Sequence, residues 1–274
     1  MRSRHRGFTL VELIMVIVIL GVVGGMVAVF MRGPIDAYFA SARRAGLTDV
    51  ADTTVRRMAR DLHKALPNSI RTPGSTSQCI EFIPTKTGGR YRADGSGALS
   101  FAGAVTSFNE LGDNGVRPVD QQIGANDMVA VYNLGVAGAD AYAGDNISAV
   151  SVAPGPASPA SAPETTISIA SKAFPLASGS NRFHVIPAGE PVVGYVCVSG
   201  QLLRYTKSLP SSAPASCPTS GTTTAVLANN VTGCNFDYTG SDLRRNALVR
   251  MSLQLTDSGE TVSLQHEVHV NNTP

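Results

Sequence analysis

Hydrophobic and polar positions divide the chain into distinct regimes. From Phe8 to Met31 nearly every residue is apolar or small, and Glu12 is the only charged one. As a helix rising about 1.5 Å per residue, that run spans roughly 36 Å, more than the ~30 Å hydrocarbon core of a bilayer. Beyond Pro34 the pattern becomes periodic. Ile35, Tyr38, Phe39, Ala42, Leu47, Val50, Ala51, Val55, Met58, Ala59, Leu62 and Leu66 recur at steps of three and four. Arg43, Arg44, Asp49, Asp52, Arg56, Arg57, Arg60 and Lys64 take the other side. Such a pattern predicts an amphipathic helix with one face on a core. Pro67 sets its expected end, because the residue before a proline is pushed out of helical geometry. Residues 8–66 are thus predicted to form one long helix. Gly21, Gly24, Gly25 and the Gly33-Pro34 pair mark where it should bend or melt, since glycine costs about 1 and proline about 3 kcal/mol in a helix interior.

After residue 67 the period drops to two. Cys79-Ile-Glu-Phe-Ile reads as a first strand, GGRYRADGSGALSF (88–101) as a hairpin, and NDMVAVYNL (126–134) as another strand. From about 135 to 163 the chain is rich in Ala, Gly, Pro and Ser. Its APGPASPASAP segment cannot form a helix or a central strand, so an exposed loop is expected. PVVGYVCV and QLLRYTK, separated by Ser199-Gly200, read as a hairpin. VLANNVTGCNFDY (226–238) reads as one further strand. ALVRMSLQL and TVSLQHEVHV alternate cleanly: Val249, Met251, Leu253 and Leu255 share one face, and Val262, Leu264, Val268 and Val270 share the partner face. His266 falls on that buried face by parity. The predicted fold class is α+β, a long N-terminal helix laid across an antiparallel sheet.

Composition changes this picture little. The net charge is +2 and charged residues make up 15% of the chain, so neither a nucleic-acid partner nor a basic stripe with interleaved aromatics is indicated. About 200 residues outside the helix suffice for one domain with its own core. The cysteines Cys79, Cys197, Cys217 and Cys234 contain no CxxC pair, which removes the usual zinc spacing. In an exported domain an even count predicts two disulfides. Four cysteines allow three connectivities, and proximity along the chain favours Cys217–Cys234 with Cys79–Cys197. His266 and His269 would point to opposite faces of a strand and cannot chelate one metal as HExxH does on a helix. Asp94, Asp113, Asp120 and Asp140 lie in glycine-rich loops, but their spacing matches no EF-hand calcium loop. Neither GxSxG nor GxxxxGK[ST] is present. No enzyme activity, cofactor or metal is expected.

The N-terminus carries the sharpest signal. Arg2, Arg4 and Arg6 precede the apolar run, which keeps that end cytoplasmic and sends the rest outward. The run is too long for a secretory signal peptide, and no A-x-A-like site follows it. A plain signal anchor leaves Glu12 unexplained, since an acid at the centre of a spanning helix costs about 2.5–3.5 kcal/mol. RGFTLVELIMVIVILGVV resembles the class III signal of type IV pilins and type II secretion pseudopilins.

That resemblance implies cleavage between Gly7 and Phe8 by a prepilin peptidase, N-methylation of Phe8, and pairing of Glu12 with the N-terminal amine of a neighbouring subunit. It also implies a leader at 1–7 and a helix at 8–66, with 8–31 in the membrane or filament core. A periplasmic, pilin-like domain would occupy 67–274. Expected partners are other pilin subunits, the peptidase and the inner membrane, with final placement in a cell-surface pilus or a periplasmic pseudopilus. From Tyr195-Val-Cys-Val through Leu227-Ala-Asn-Asn-Val-Thr-Gly-Cys-Asn-Phe-Asp-Tyr to HVNNTP, the C-terminal third resembles J-type minor pseudopilins and W-type minor pilins. It most resembles O-type minor pilins of the mannose-sensitive haemagglutinin (MSHA) pilus. The function so implied is that of a minor pilin in pilus assembly or initiation. The alternatives are a secretion pseudopilin and, from another class, a membrane-anchored periplasmic binding protein. No motif accounts for residues 87–190.

Overall fold

Leu10–Leu62 forms a single continuous α-helix, α1, in the structure, a computed structural model that describes residues 7–74, 77–155, 157, 163–212, 215–218, 223–238 and 246–274. The helix assignment continues through Gly21, Gly24, Gly25 and Pro34, where a bend was expected. It ends earlier than Pro67 required. Lys64 and Ala65 tighten into i→i−3 bonds to Asp61 and Leu62, and then strand-like backbone bonds take over: Leu66 N–H to Ile83 O at 2.7 Å and Thr85 N–H to Lys64 O at 2.7 Å. Partners elsewhere in the fold, not the proline, stop the helix. Residues 8–39 are exposed throughout, whereas Leu47, Ala51, Thr54, Val55, Met58, Ala59 and Leu62 are buried. Only the last four turns of α1 therefore belong to the core of the folded head.

The strands are β1 (Cys79–Phe82), β2 (Thr87–Arg90), β3 (Val105–Glu110), β4 (Met128–Val131), β5 (Ile147–Ala149), β6 (Thr165–Lys172), β7 (Arg182–Ile186), β8 (Val192–Val198), β9 (Gln201–Lys207), β10 (Thr223–Asn229), β11 (Val231–Tyr238), β12 (Asn246–Asp257) and β13 (Glu260–Asn271). All pairings are antiparallel. One sheet runs β1-β8-β9-β10 and a second runs β11-β12-β13. Both close on the α1 stripe: Met58, Leu62, Ile80, Phe82, Val193, Tyr195, Leu202, Val249, Met251, Leu253 and Val268 form one cluster. Full burial of each large aliphatic or aromatic side chain there contributes about 1.5–3 kcal/mol. The β8–β9 hairpin turns at Ser199 and Gly200, and the β12–β13 hairpin at Ser258 and Gly259. All four have positive φ, as a two-residue type I′ turn demands.

The remaining strands form an insertion. β1 and β8 are neighbours in the first sheet, yet about a hundred residues separate them in sequence. That segment builds a sheet β2-β7-β4-β5 and a pair β3-β6 around its own cluster, which includes Tyr91, Phe108, Val129, Ile167, Phe174 and Phe183. Its entry and exit strands pair with each other, Thr87 opposite Val185. A buried ionic knot ties insertion to frame. Glu81, fully buried on β1, accepts from the Tyr205 hydroxyl at 2.9 Å, pairs with Lys207 at 2.8 Å and pairs with Arg71. The Arg71 guanidinium stacks 3.4 Å over the ring of Tyr142, which belongs to the insertion. Burial, followed by the nearby Glu81 carboxylate, pushes the Tyr142 and Tyr205 phenols up.

Several sequence expectations are corrected here. The disulfides are Cys79–Cys217 and Cys197–Cys234, not Cys217–Cys234 with Cys79–Cys197. Cys79 lies opposite Val196 in the β1–β8 ladder, so Cys197, one residue on, projects from the other face and cannot reach it. Residues 226–238 are two strands in two sheets, because Asn230 takes a left-handed conformation (φ 61°) and turns the corner between β10 and β11. The Cys197–Cys234 bridge then staples those sheets together. The 88–101 segment builds no two-stranded ladder of its own: its turn closes through Leu99 N–H to Arg92 O at 2.9 Å. Backbone groups of residues 90–92 bond to 109–111 and to Asn181, and β2 pairs with β7. The small-residue stretch 135–163 contains a short strand, β5, on the edge of β4; residues 156 and 158–162 lie outside the described set. His266 shares parity with the buried Val268 but is itself exposed.

Two stability predictions follow from buried groups. A Cβ at Gly194 would overlap the Tyr205 ring, which is fully buried and held by Glu81. Gly194→Ala should therefore destabilise the head by about 1–3 kcal/mol, seen as a lower urea midpoint in detergent. His184 lies on β7 with its Nε2 buried and unpartnered, and burial, aided by Arg182, lowers its pKa to about 4. Between pH ~6.5 and 4 the unfolded chain then binds a proton that the folded chain refuses, so stability falls as pH drops through that window. His184→Gln should flatten this dependence between pH 7 and 5. An unchanged slope would show that the ring does not titrate this way.

Candidate assembly site at the start of the long helix

Gly7 and Phe8 precede the helix in a non-helical, exposed segment, and no atom crowds the Gly7 Cα. The peptide bond between them is thus open to an enzyme, ahead of any helical hydrogen bond. Thr9 is the N-cap, with extended backbone (φ −78°, ψ 151°). Its hydroxyl oxygen accepts from the Glu12 N–H at 3.3 Å. The Glu12 carboxylate reaches back, and its Oε2 accepts from both the Thr9 N–H and the Thr9 hydroxyl at 2.9 Å. This reciprocal capping box satisfies N–H groups that the first turn leaves orphaned. It also holds a negative charge at the positive end of the helix dipole. Among the described residues, Oε1 accepts no hydrogen bond.

Sequence reasoning grouped Gly7, Phe8 and Glu12; in the structure Gly7 and Phe8 lie just ahead of the N-cap and Glu12 in the first turn. It missed Thr9, although T-x-x-E before an apolar run is a capping-box pattern. From Phe8 through Phe39 the helix surface has no cover from the head: Phe8, Leu10, Val11, Phe30 and Tyr38 are all more than 65% exposed. It is the one described helix long and apolar enough to cross a membrane.

The other candidates lie far along the fold. All four cysteines are in disulfides within the head. His266 and His269 sit opposite Met251 and Leu248, on alternate faces of β13. Asp113 caps the Gly115 N–H at 2.8 Å, and Asp140 accepts from the Tyr142 N–H at 2.9 Å, so both serve local turns. Among the described residues no group of three or more His, Cys, Asp or Glu is placed to hold a metal ion. A cleft of about 390 Å³ beside the end of α1 is lined by Asp61, His63, Lys64, Lys86, Glu190 and Arg204. There Arg204 forks onto Glu190 (2.6 and 2.7 Å), and the Tyr195 hydroxyl donates to Asp61 at 2.6 Å. Burial and then the Asp61 charge push the Tyr195 phenol up, which keeps it protonated. Asp61, Glu190, Arg204 and the Tyr195 hydroxyl thus satisfy one another.

Residues 2–28 match the prokaryotic N-terminal methylation motif. No curated protein and no solved structure matches the chain. Gly7, Phe8, Thr9 and Glu12 all fall inside the matched segment, as does the first part of the exposed apolar helix.

Proposed function

We propose that this chain is a pilin-like structural subunit, and that it serves as a minor subunit of an MSHA-type pilus, acting in assembly or initiation. The observation that carries the reading is Glu12: one carboxylate, held by its own helix cap, in the otherwise apolar and uncovered run from Phe8 to Met31, which begins inside a methylation motif. The C-terminal third supports the finer assignment through its resemblance to O-type minor pilins. In this account a prepilin peptidase hydrolyses the Gly7–Phe8 bond at the cytoplasmic face of the inner membrane, and the new Phe8 amine is methylated. The head folds in the periplasm, where its two disulfides form.

Glu12 then works in two settings. In the bilayer, the Thr9 N–H and hydroxyl hold Oε2, which spares the carboxylate part of the penalty for an unpaired charge in apolar surroundings. In the filament, the cationic Phe8 amine of a neighbour approaches Oε1. Each charge offsets the desolvation cost of the other, and the pair fixes the axial register of two helices. Removing one partner leaves an uncompensated buried charge, which costs more than the pair contributes.

Mass spectrometry of the protein from its native cells should show loss of residues 1–7 and a methylated Phe8. An intact Met1 would reject the processing scheme. Glu12→Val should leave membrane insertion intact yet remove the protein from sheared filaments, and normal incorporation would refute the pairing. Thr9→Val should weaken the helix start by about 0.5–2 kcal/mol and reduce incorporation, with Thr9→Ser restoring it because the hydroxyl returns. Equal incorporation of both variants would show that the cap has no part in assembly.

A further inference from the structure

Between the apolar run and the head, α1 stays helical and exposed from Arg32 to Phe39, straight through Gly33 and Pro34. Two large rings stand at the end of that stretch. Tyr38 and Phe39 are 71% and 54% exposed, and they meet edge to face with ring centroids 5.8 Å apart. The core of the head begins only at Leu47, so it covers neither ring. Aromatic rings beside a membrane-spanning segment are enriched at the headgroup level, where the apolar body and the polar edge of the ring are both accommodated. Arg32 is the first basic residue after the run. Rings, arginine and span share one unbroken helix, so their heights along its axis are tied together.

We propose that Tyr38 and Phe39 lie in the phospholipid headgroup layer of the periplasmic leaflet, and that this contact sets the depth at which the chain sits in the membrane before assembly. The inference rests on the reading of α1 as a membrane-spanning helix, and it adds which residues meet each boundary. Two registers compete. If the run from Phe8 to Met31 centres itself, its midpoint falls between Ile19 and Leu20. At 1.5 Å per residue, Glu12 then lies about 11 Å from the bilayer centre, inside the ~15 Å half-thickness of hydrocarbon. Tyr38 lies about 28 Å out, in water beyond the roughly 20–22 Å reach of the headgroups. Moving the centre to Val23 and Gly24, midway between Phe8 and Phe39, removes both faults. Glu12 comes to about 17 Å, outside the hydrocarbon, and Tyr38 to about 22 Å, at headgroup level. Side chains on a helix lean toward its N-terminus, which tips the rings toward the bilayer and the Glu12 carboxylate away from it. Arg32 moves in to about 13 Å, and its long stem lets the guanidinium reach back to the phosphates. Glu12 has no such reach, so its position decides the register. Leu47 is then about 35 Å from the centre, and the head clears the surface.

The chain has no tryptophan, so a single introduced one reports depth by its fluorescence. Full-length Leu10→Trp, Val23→Trp and Tyr38→Trp proteins are reconstituted in phosphatidylethanolamine–phosphatidylglycerol vesicles that carry a nitroxide either on the headgroup or at the end of an acyl chain. The headgroup nitroxide should quench Leu10→Trp and Tyr38→Trp at least about three-fold more than the chain-end nitroxide does, and Val23→Trp should show the reverse. Adding Tyr38→Ser and Phe39→Ser to Leu10→Trp should shift its quenching toward the chain-end nitroxide, because the run then recentres. An unchanged ratio in that triple variant overturns the part given to the rings. Tyr38→Trp fluorescence that aqueous iodide quenches and neither nitroxide touches overturns the proposal, as does Leu10→Trp quenched mainly from the chain end. Both of those results leave the spanning helix in place. Val23→Trp that escapes both nitroxides overturns the membrane-spanning reading and the proposal with it.

Discussion

α1 carries two halves that need different surroundings, and the rest of the structure is arranged around that conflict. Its last four turns have a core to enter: Leu47 through Leu62 pack between two sheets. Its first thirty residues have none. Apolar surface left in water on that scale is unstable, so the protein is complete only when lipid or other helices supply the missing environment. Glu12 is the one charge between Phe8 and Met31. Its capping box shows how a carboxylate is carried in an apolar helix: the hydroxyl and N–H of Thr9 solvate it locally, and one oxygen stays open. A leucine there would be easier to bury.

The head answers a second constraint, that of holding an insertion without loosening the frame. β1 and β8 are adjacent in space, and the chain leaves between them for about a hundred residues. The excursion closes on itself through β2 and β7, so its ends need not be clamped by the frame. What joins it to the frame is partly apolar, through Leu66, Ile83, Ala130, Tyr142 and Ile186, and partly ionic, through Glu81. A carboxylate with no solvent access would be ruinous alone. Arg71, Lys207 and the Tyr205 hydroxyl surround it, and Arg71 extends the contact to Tyr142. Both disulfides lie outside the insertion, one anchoring the segment after β9 and one crossing between the two sheets.

Local periodicity made much of this legible. The apolar run and the three-four stripe determined α1 within a few residues at its C-terminal end. Ser199-Gly200 marked one hairpin, because few residues tolerate the left-handed turn that joins short antiparallel strands, and clean alternation marked the two strands of another. Gly7, Phe8 and Glu12 stood out because a charged residue in a spanning helix, after a basic leader and a glycine, fits no ordinary anchor.

Tertiary structure decided what depends on partners distant in sequence. The cysteine pairing followed from strand register, since one residue of offset puts Cys79 and Cys197 on opposite faces. Asn230 split an apparently continuous strand, because a single left-handed residue sends the chain into another sheet without disturbing its alternation. The end of α1 was set by backbone bonds from residues 83–85, and the strand partners of 87–91 came from β7 and β3. His266 had the parity of the buried Val268 and Val270, yet its side chain stays exposed. The sequence by itself determined the helix, the signal and the local turns, where neighbours a few residues apart set the energy. The long-range pairings, and with them the shape of the head, were determined only when the whole chain competed for the same hydrogen bonds and the same core.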